Sequence, residues 1–216
     1  MVIDTKRMRE IYLRQPGDYY VKQANNRGLR LWLLKKRRDI IHEFVKEYYC
    51  GGVILDIGCG NSLWNRDNIA IIGLDICEAM LKYNKYRMPN FISVKTDISA
   101  GLPFKNGSVN TVVVTEVLEH VSSYGYLIEE IRRVLRKDGI VIVSVPYARL
   151  PGLWGLVFPA WCRFKGWKDK DKYYSNRCGH VVNFDVGKIR RAFGGFSMLE
   201  VKTCGMLTIF CVARKE

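Results

Sequence analysis

Apolar residues along this chain fall into two rhythms, short continuous runs and stripes at helical spacing. From residue 29 to 48 they recur at 33/34, 40/41, 44/45 and 48, which predicts a helix. Its opposite face is basic, around Lys35, Lys36, Arg37 and Arg38, and Gly51-Gly52 stops it. Val53–Ile57 and Ala70–Leu74 are too continuously apolar for exposed edges and predict buried strands. Phe91–Lys95, Thr111–Thr115 and Ile140–Val145 predict three more. Glu78–Tyr86 reads as a helix ended by Pro89. Tyr126–Leu135 reads as another, with Leu127, Ile131, Val134 and Leu135 on one face and Lys137-Asp138-Gly139 as its stop and turn. Asp185 caps a short helix through Phe193, and Met198–Thr203 and Leu207–Ala213 form two strands around Gly205.

Strands alternating with helices predict an α/β fold with a mostly parallel sheet and ligands at the strand C-terminal ends. The last two strands are joined too tightly for a helical crossover and must form an antiparallel hairpin.

Chemistry enters at Val53-Ile-Leu-Asp-Ile-Gly-Cys-Gly-Asn-Ser62, where a buried strand ends in a glycine turn. Glycines there let backbone N–H groups approach a ligand closely. A dinucleotide fingerprint needs glycine at the sixth position of G-x-G-x-x-G, and Leu63 occupies it. Asp75 ends the next strand, where a carboxylate can accept both hydroxyls of a ribose. Asp97 ends the third, in Val-Lys-Thr-Asp-Ile.

The glycine turn with its preceding Asp56 resembles the first motif of class I S-adenosylmethionine-dependent methyltransferases. Leu102-Pro-Phe104, Glu116-Val-Leu-Glu-His-Val121, Arg133-Val-Leu-Arg-Lys-Asp-Gly139 and Ser144-Val-Pro146 resemble the small-molecule subgroup that includes ubiquinone-biosynthesis enzymes. Gly179-His-Val-Val-Asn-Phe184 is similar to the segment before that subgroup's last helix. The resemblance runs nearly unbroken over residues 53–146. It implies a Rossmann-like seven-stranded sheet with helices on both faces and S-adenosyl-L-methionine as cofactor. It assigns Asp56, Gly58, Cys59 and Gly60 to the cofactor cleft and Asp75 to the ribose. Asp97 goes to the adenine amino group, with Ile76 and Ile98 around the ring, and Thr115 and Glu116 complete the cofactor set. The chain departs from the pattern at two places. Ser62 stands where a third glycine is usual, and Gly58 to Asp75 is only 17 positions, about one helical turn short. The connection after the first strand must therefore be short or irregular, with Trp64-Asn65-Arg66 filling the helix's place.

Glu116, Glu119 and His120 stand at i, i+3 and i+4, a spacing that converges on one helical face and suits a divalent cation. Within the resembled family, some quinone-pathway O-methyltransferases and small-RNA 2′-O-methyltransferases bind a metal at such a motif, and His180 is the candidate fourth ligand. In relatives that need no metal the histidine lines the pocket. His180 and His120 are also the candidate catalytic residues, because a histidine can take a proton from a hydroxyl as the methyl moves. The chain has no Asn/Asp-Pro-Pro-Tyr after the fourth strand, which argues against amino-methylation of adenine or glutamine. It has no Pro-Cys pair for pyrimidine C5 chemistry.

Charge separates the chain into zones. Of its net +14, residues 1–52 hold 12 Lys/Arg against 6 Asp/Glu, residues 53–146 hold 10 against 10, and residues 147–192 hold 10 against 3. Trp32, Trp154, Trp161 and Trp167 lie in the two basic zones. These boundaries divide the chain into a basic helical cap (1–52), a cofactor core (53–146), a basic aromatic lid (147–192) and C-terminal strands completing the sheet (193–216). A basic, aromatic surface suits an anionic partner. The leading expectation is O-methylation of an anionic or amphiphilic small molecule. An RNA methyltransferase and a non-catalytic binding module of the same fold are the alternatives. In the lid, Leu150–Cys162 is apolar and the basic residues follow, an order that suits a lipid-like ligand or peripheral contact with a membrane. That stretch of thirteen is too short for a transmembrane segment, and MVIDTKRMRE holds no apolar run of signal-peptide length. Seven cysteines without a C-x-x-C read as reduced thiols of a cytoplasmic protein.

Overall fold

The computed structural model describes residues 5–24, 29–149, 153–168 and 179–216. Seven strands form one sheet in the order β3-β2-β1-β4-β5-β7-β6. They are β1 (Ile54–Ile57), β2 (Ile71–Asp75), β3 (Phe91–Lys95), β4 (Val109–Thr115), β5 (Leu135–Pro146), β6 (Phe196–Cys204) and β7 (Thr208–Lys215). β1 to β5 pair in parallel, while β7 runs antiparallel to both β5 and β6. The sheet order reverses direction at β1, so the C-terminal ends of β1 and β4 open the crevice where ligands of such folds sit.

Alternation along the strands supplies two cores. Leu55, Ile57, Val112, Val114, Val141 and Val143 face one side, against α5 (Tyr124–Val134) and α7 (Val186–Ala192). Ile54, Val113, Ile142, Phe210 and Val212 face the other, where Ile40, Ile41, Phe44 and Val45 of α3 (Leu29–Tyr48) pack beside Leu81 of α4 (Glu78–Arg87). Gly73 of β2 sits where this packing is tightest. A Cβ there would meet the Phe91 ring at 2.2 Å and Cys59 Sγ at 2.9 Å. Gly73→Ala is expected to cost about 1–3 kcal/mol. Urea denaturation would show a lower midpoint at unchanged slope.

Three elements differ from the sequence expectation. Lys137–Gly139 is not a free turn, because pairing continues on both sides of it. The register jumps from Val109↔Leu135 to Thr111↔Ile140 over a bulge with Asp138 at φ 60°. Residues 154–168 form a helix, α6 (Trp154–Lys168), in spite of Pro159. Finally, two short helices, α1 (Thr5–Leu13) and α2 (Tyr19–Ala24), precede α3. Among the described residues no helix is long and apolar enough to cross a membrane, and no disulfide joins the described cysteines.

Candidate functional site

The sequence leaves too few residues between β1 and β2 for a crossover helix, and residues 58–70 form turns and irregular chain without a helix. Trp64 fills the vacated core position, almost wholly buried. Its indole N–H donates to Asp56 Oδ2 at 2.9 Å, and the Ser62 hydroxyl donates to the same oxygen at 2.7 Å. Ser62 holds φ 44°, so it does the backbone work of the missing third glycine, and Asp56 anchors it there. Burial pushes the Asp56 carboxyl up to about 7, against the two donated hydrogen bonds, which lower it. Asp56 lies beneath the turn and does not line the cavity. From there it holds the glycine turn through Ser62 and Trp64.

Above this anchor, Gly58 and Gly60 turn the chain at φ 61° and 47°. A Cβ on Gly58 would strike Val117 at 2.5 Å. The Gly60 N–H donates to Asp75 Oδ2 and the Cys77 N–H to Oδ1, both at 2.8 Å, so backbone donors fix the β2 carboxylate at the cavity edge. Burial raises the Asp75 carboxyl above its ordinary value, and the backbone hydrogen bonds oppose this. Asp97, two residues past β3, accepts from the Ser99 N–H and hydroxyl and pairs with Arg9 at 3.1 Å. The Ser99 bonds hold it below the usual carboxylate range. The cap reaches the same loop. Asn61 accepts from the Tyr20 N–H and donates to the Gly17 carbonyl, and the Tyr20 ring lies over Gly60.

Together these residues line a cavity of about 750 Å³. Gly58, Cys59, Gly60, Asp75, Ile76, Asp97, Ile98, Thr115 and Glu116 form part of its wall. Leu34, Arg37, Arg38 and Ile41, one face of α3, form another. The sequence reading placed Arg37 and Arg38 on a basic face opposite the apolar stripe, without assigning them to the site. Their i, i+3, i+4, i+7 spacing with Leu34 and Ile41 is the signal that marks them as cavity residues. Burial lowers the Arg38 guanidinium, aided by the nearby charges of Arg37 and Arg66.

The expected four-residue metal set divides. Glu116 sits at φ 55°, outside the single 3-10 turn of Leu118–His120, so the residues do not share one helical face. Its carboxylate instead binds Arg37 at 2.6 Å and accepts from the Ser144 hydroxyl at 2.9 Å. Glu119, His120 and His180 do come together, with ligand atoms within 4.8 Å of one another. The Glu119 carboxyl is buried with neither oxygen hydrogen-bonded, and burial raises it well above the usual range. Burial also pushes His120 down to about 4 and His180 down to about 2. Both rings are therefore neutral at pH 7. His120 Nδ1 lies 3.1 Å from the Gly179 carbonyl, which assigns its proton to Nδ1 and leaves Nε2 as the acceptor. The His180 ring stacks on Phe158, which stacks on Trp154, so α6 supplies an aromatic wall.

Residues 55–143 match the model of a family described as a methyltransferase domain. The chain is 31% identical over 116 residues to a probable S-adenosylmethionine-dependent methyltransferase of Mycolicibacterium smegmatis, covering 51% of this chain and 44% of the relative. It is 30% identical over 110 residues to the demethylmenaquinone methyltransferase of Lactococcus lactis, covering 45% and 44%. The chain thus spans less than half the length of these curated relatives. Its fold matches the S-adenosylhomocysteine-bound magnesium protoporphyrin IX methyltransferase of Synechocystis at TM-score 0.70 and 15% identity, over 99% of this chain and 100% of that one.

Proposed function

We propose, for a chain whose residues 55–143 match a methyltransferase-domain family, that it is a class I S-adenosylmethionine-dependent methyltransferase acting on an oxygen of an anionic or amphiphilic small molecule. One observation carries this reading. A single cavity has acids at the strand ends on one wall, and Arg37, Arg38 and the Trp154–Phe158–His180 stack on others. The first wall suits the cofactor. Gly58 turns the chain against Val117 in a backbone conformation that a side chain would strain, and Asp75 keeps acceptor capacity beyond its two backbone bonds. S-adenosylmethionine supplies a sulfonium-bound methyl group, an electrophile that needs alignment more than activation. The second wall suits the acceptor, with guanidinium groups for an anion and aromatic faces for an apolar ring or chain. Residues 1–52 act as the cap and residues 147–192 as the lid that exclude water from the reacting atoms. His120 and His180, both neutral, can accept a hydrogen bond from an acceptor hydroxyl, and burial, which lowers both imidazoles, makes them weak bases for its proton.

A second reading rests on Glu119, whose buried, unpaired oxygens face two neutral imidazoles. The three side chains suit a divalent cation of borderline hardness, which would orient an acceptor oxygen. Glu116, held by Arg37 and Ser144, is not among its ligands.

A transfer assay with labelled methyl donor against small-molecule, lipid and total RNA extracts tests the reading, with chelator in parallel. Label is expected in an anionic organic fraction. Label confined to RNA would overturn the acceptor class. Loss of transfer on chelation, restored by a divalent cation, would establish the metal reading.

A further inference from the structure

The inner face of α6 walls the cavity with Trp154 and Phe158, and Cys162 is buried beside them. Its outer face is apolar as well. Leu153, just before the helix, is 42% exposed, Val157 54%, Phe164 50% and Trp167 79%. Their spacing of four, seven and three places them in one stripe along the helix. Met206, 41% exposed at the β6–β7 turn, extends the patch, because its carbonyl accepts from the Leu153 N–H at 2.8 Å. A soluble surface does not keep large side chains exposed in one row without a partner for them.

Charge identifies the partner. Residues 150–168 contain no Asp or Glu and contain Arg163, Lys165 and Lys168. Arg163 and Lys168 are exposed beside the stripe, and the Lys168 ammonium lies 5.9 Å from the Phe164 ring centroid. Basic groups that border exposed aromatic and aliphatic side chains match the layering of an anionic lipid surface, phosphate outermost and hydrocarbon beneath. Tryptophan favours that boundary. The helix is too short to cross a bilayer and long enough to lie along one. We propose that the outer face of α6 docks on an anionic phospholipid bilayer, inserting Val157, Phe164 and Trp167 between headgroups. Docking there puts the cavity wall directly over the membrane surface. The proposal does not rest on the methyl-transfer reading, since vesicle binding is read without cofactor or turnover.

The test is sedimentation of the full chain with phosphatidylcholine vesicles, with and without about 30 mol% phosphatidylglycerol. The protein is expected to pellet with the anionic vesicles, with a blue shift of its tryptophan emission, and to stay in the supernatant with the neutral ones. Phe164→Ser/Trp167→Ser is expected to weaken binding by about 10-fold or more. Arg163→Gln/Lys168→Gln is expected to do the same by removing only charge. Because all four side chains are exposed, urea midpoints should not move, and the charge variant serves if the apolar one does not fold. Three outcomes would overturn the proposal: a wild-type protein that stays in the supernatant, equal binding to both vesicle types, or variants that bind like the wild type. A solution dimer that Phe164→Ser/Trp167→Ser dissolves would assign the face to a second copy instead, and would also overturn it.

Discussion

Asp75→Ala is expected to weaken binding of S-adenosylhomocysteine by about 100-fold, equivalent to about 2.7 kcal/mol. The carboxylate stands at the end of β2, its oxygens fixed by the Gly60 and Cys77 N–H groups. Its remaining lone pairs face the cavity, where a ribose offers two neighbouring hydroxyl donors. A hydrogen bond to a charged acceptor contributes about 1.5–3 kcal/mol, and two such bonds, partly replaced by water in the variant, give the expected loss. Asp75→Asn keeps one acceptor oxygen and should cost about 10-fold. Calorimetric titration with S-adenosylhomocysteine measures both. Unchanged affinity in Asp75→Ala would remove the residue from the cofactor site. Because the Gly60 and Cys77 N–H groups lose their acceptor in the alanine variant, near-UV circular dichroism must show that the turn still folds. The asparagine variant tests the role with less disturbance.

The elements that the chain announces locally are the ones written in contiguous residues. The strand that ends at Asp75 and the one that ends two residues before Asp97 are short runs followed by an acid, and no distant contact is needed to recognise them. Asp185 as a helix cap is equally local, and its side chain accepts from the Lys188 N–H. What the sequence hides is tertiary. Arg37 and Arg38 read only as part of a basic helix face until α3 is laid against the sheet, when that face closes the cavity. Glu116 sits three residues from Glu119 and looks like its partner in a ligand set. The left-handed backbone at Glu116 turns its carboxylate to Arg37 instead. α1 and α2 are only nine and six residues long, too short for a periodicity to mark them. They are held by polar contacts such as Asn61 to Gly17 and Arg9 to Asp97, which pair residues far apart in the chain. Ser62 looked like a defect in the glycine turn. It is a substitute for glycine only because Asp56, six residues earlier, accepts its hydroxyl.

That anchor leads to the largest expected effect on stability. Asp56→Leu leaves the Ser62 hydroxyl and the Trp64 indole N–H buried without an acceptor. Each stranded donor costs about 1–3 kcal/mol, and removing the unpaired Oδ1 offsets part of it, so the net loss should be about 3 kcal/mol. Asp56→Asn should behave differently, since an amide oxygen in the place of Oδ2 keeps both donors and carries no charge. Comparing Asp56→Asn with the wild type across pH isolates the titration of this one carboxyl. Its folded pKa is raised to about 7, so between about pH 4 and 7 the folded chain holds a proton that the unfolded chain has lost. Wild-type stability relative to the asparagine variant is therefore fully present below about pH 4. It should fall by about 1.4 kcal/mol per pH unit and level off above about pH 7. By pH 8 the asparagine variant should be the more stable protein by up to about 4 kcal/mol, provided its hydrogen bonds match those of the acid. Urea denaturation of both proteins at pH 5, 6, 7 and 8 measures this difference directly. Parallel stability curves would mean that Asp56 is ionised in the folded protein throughout. The glycine turn would then rest on a charged anchor rather than a neutral one.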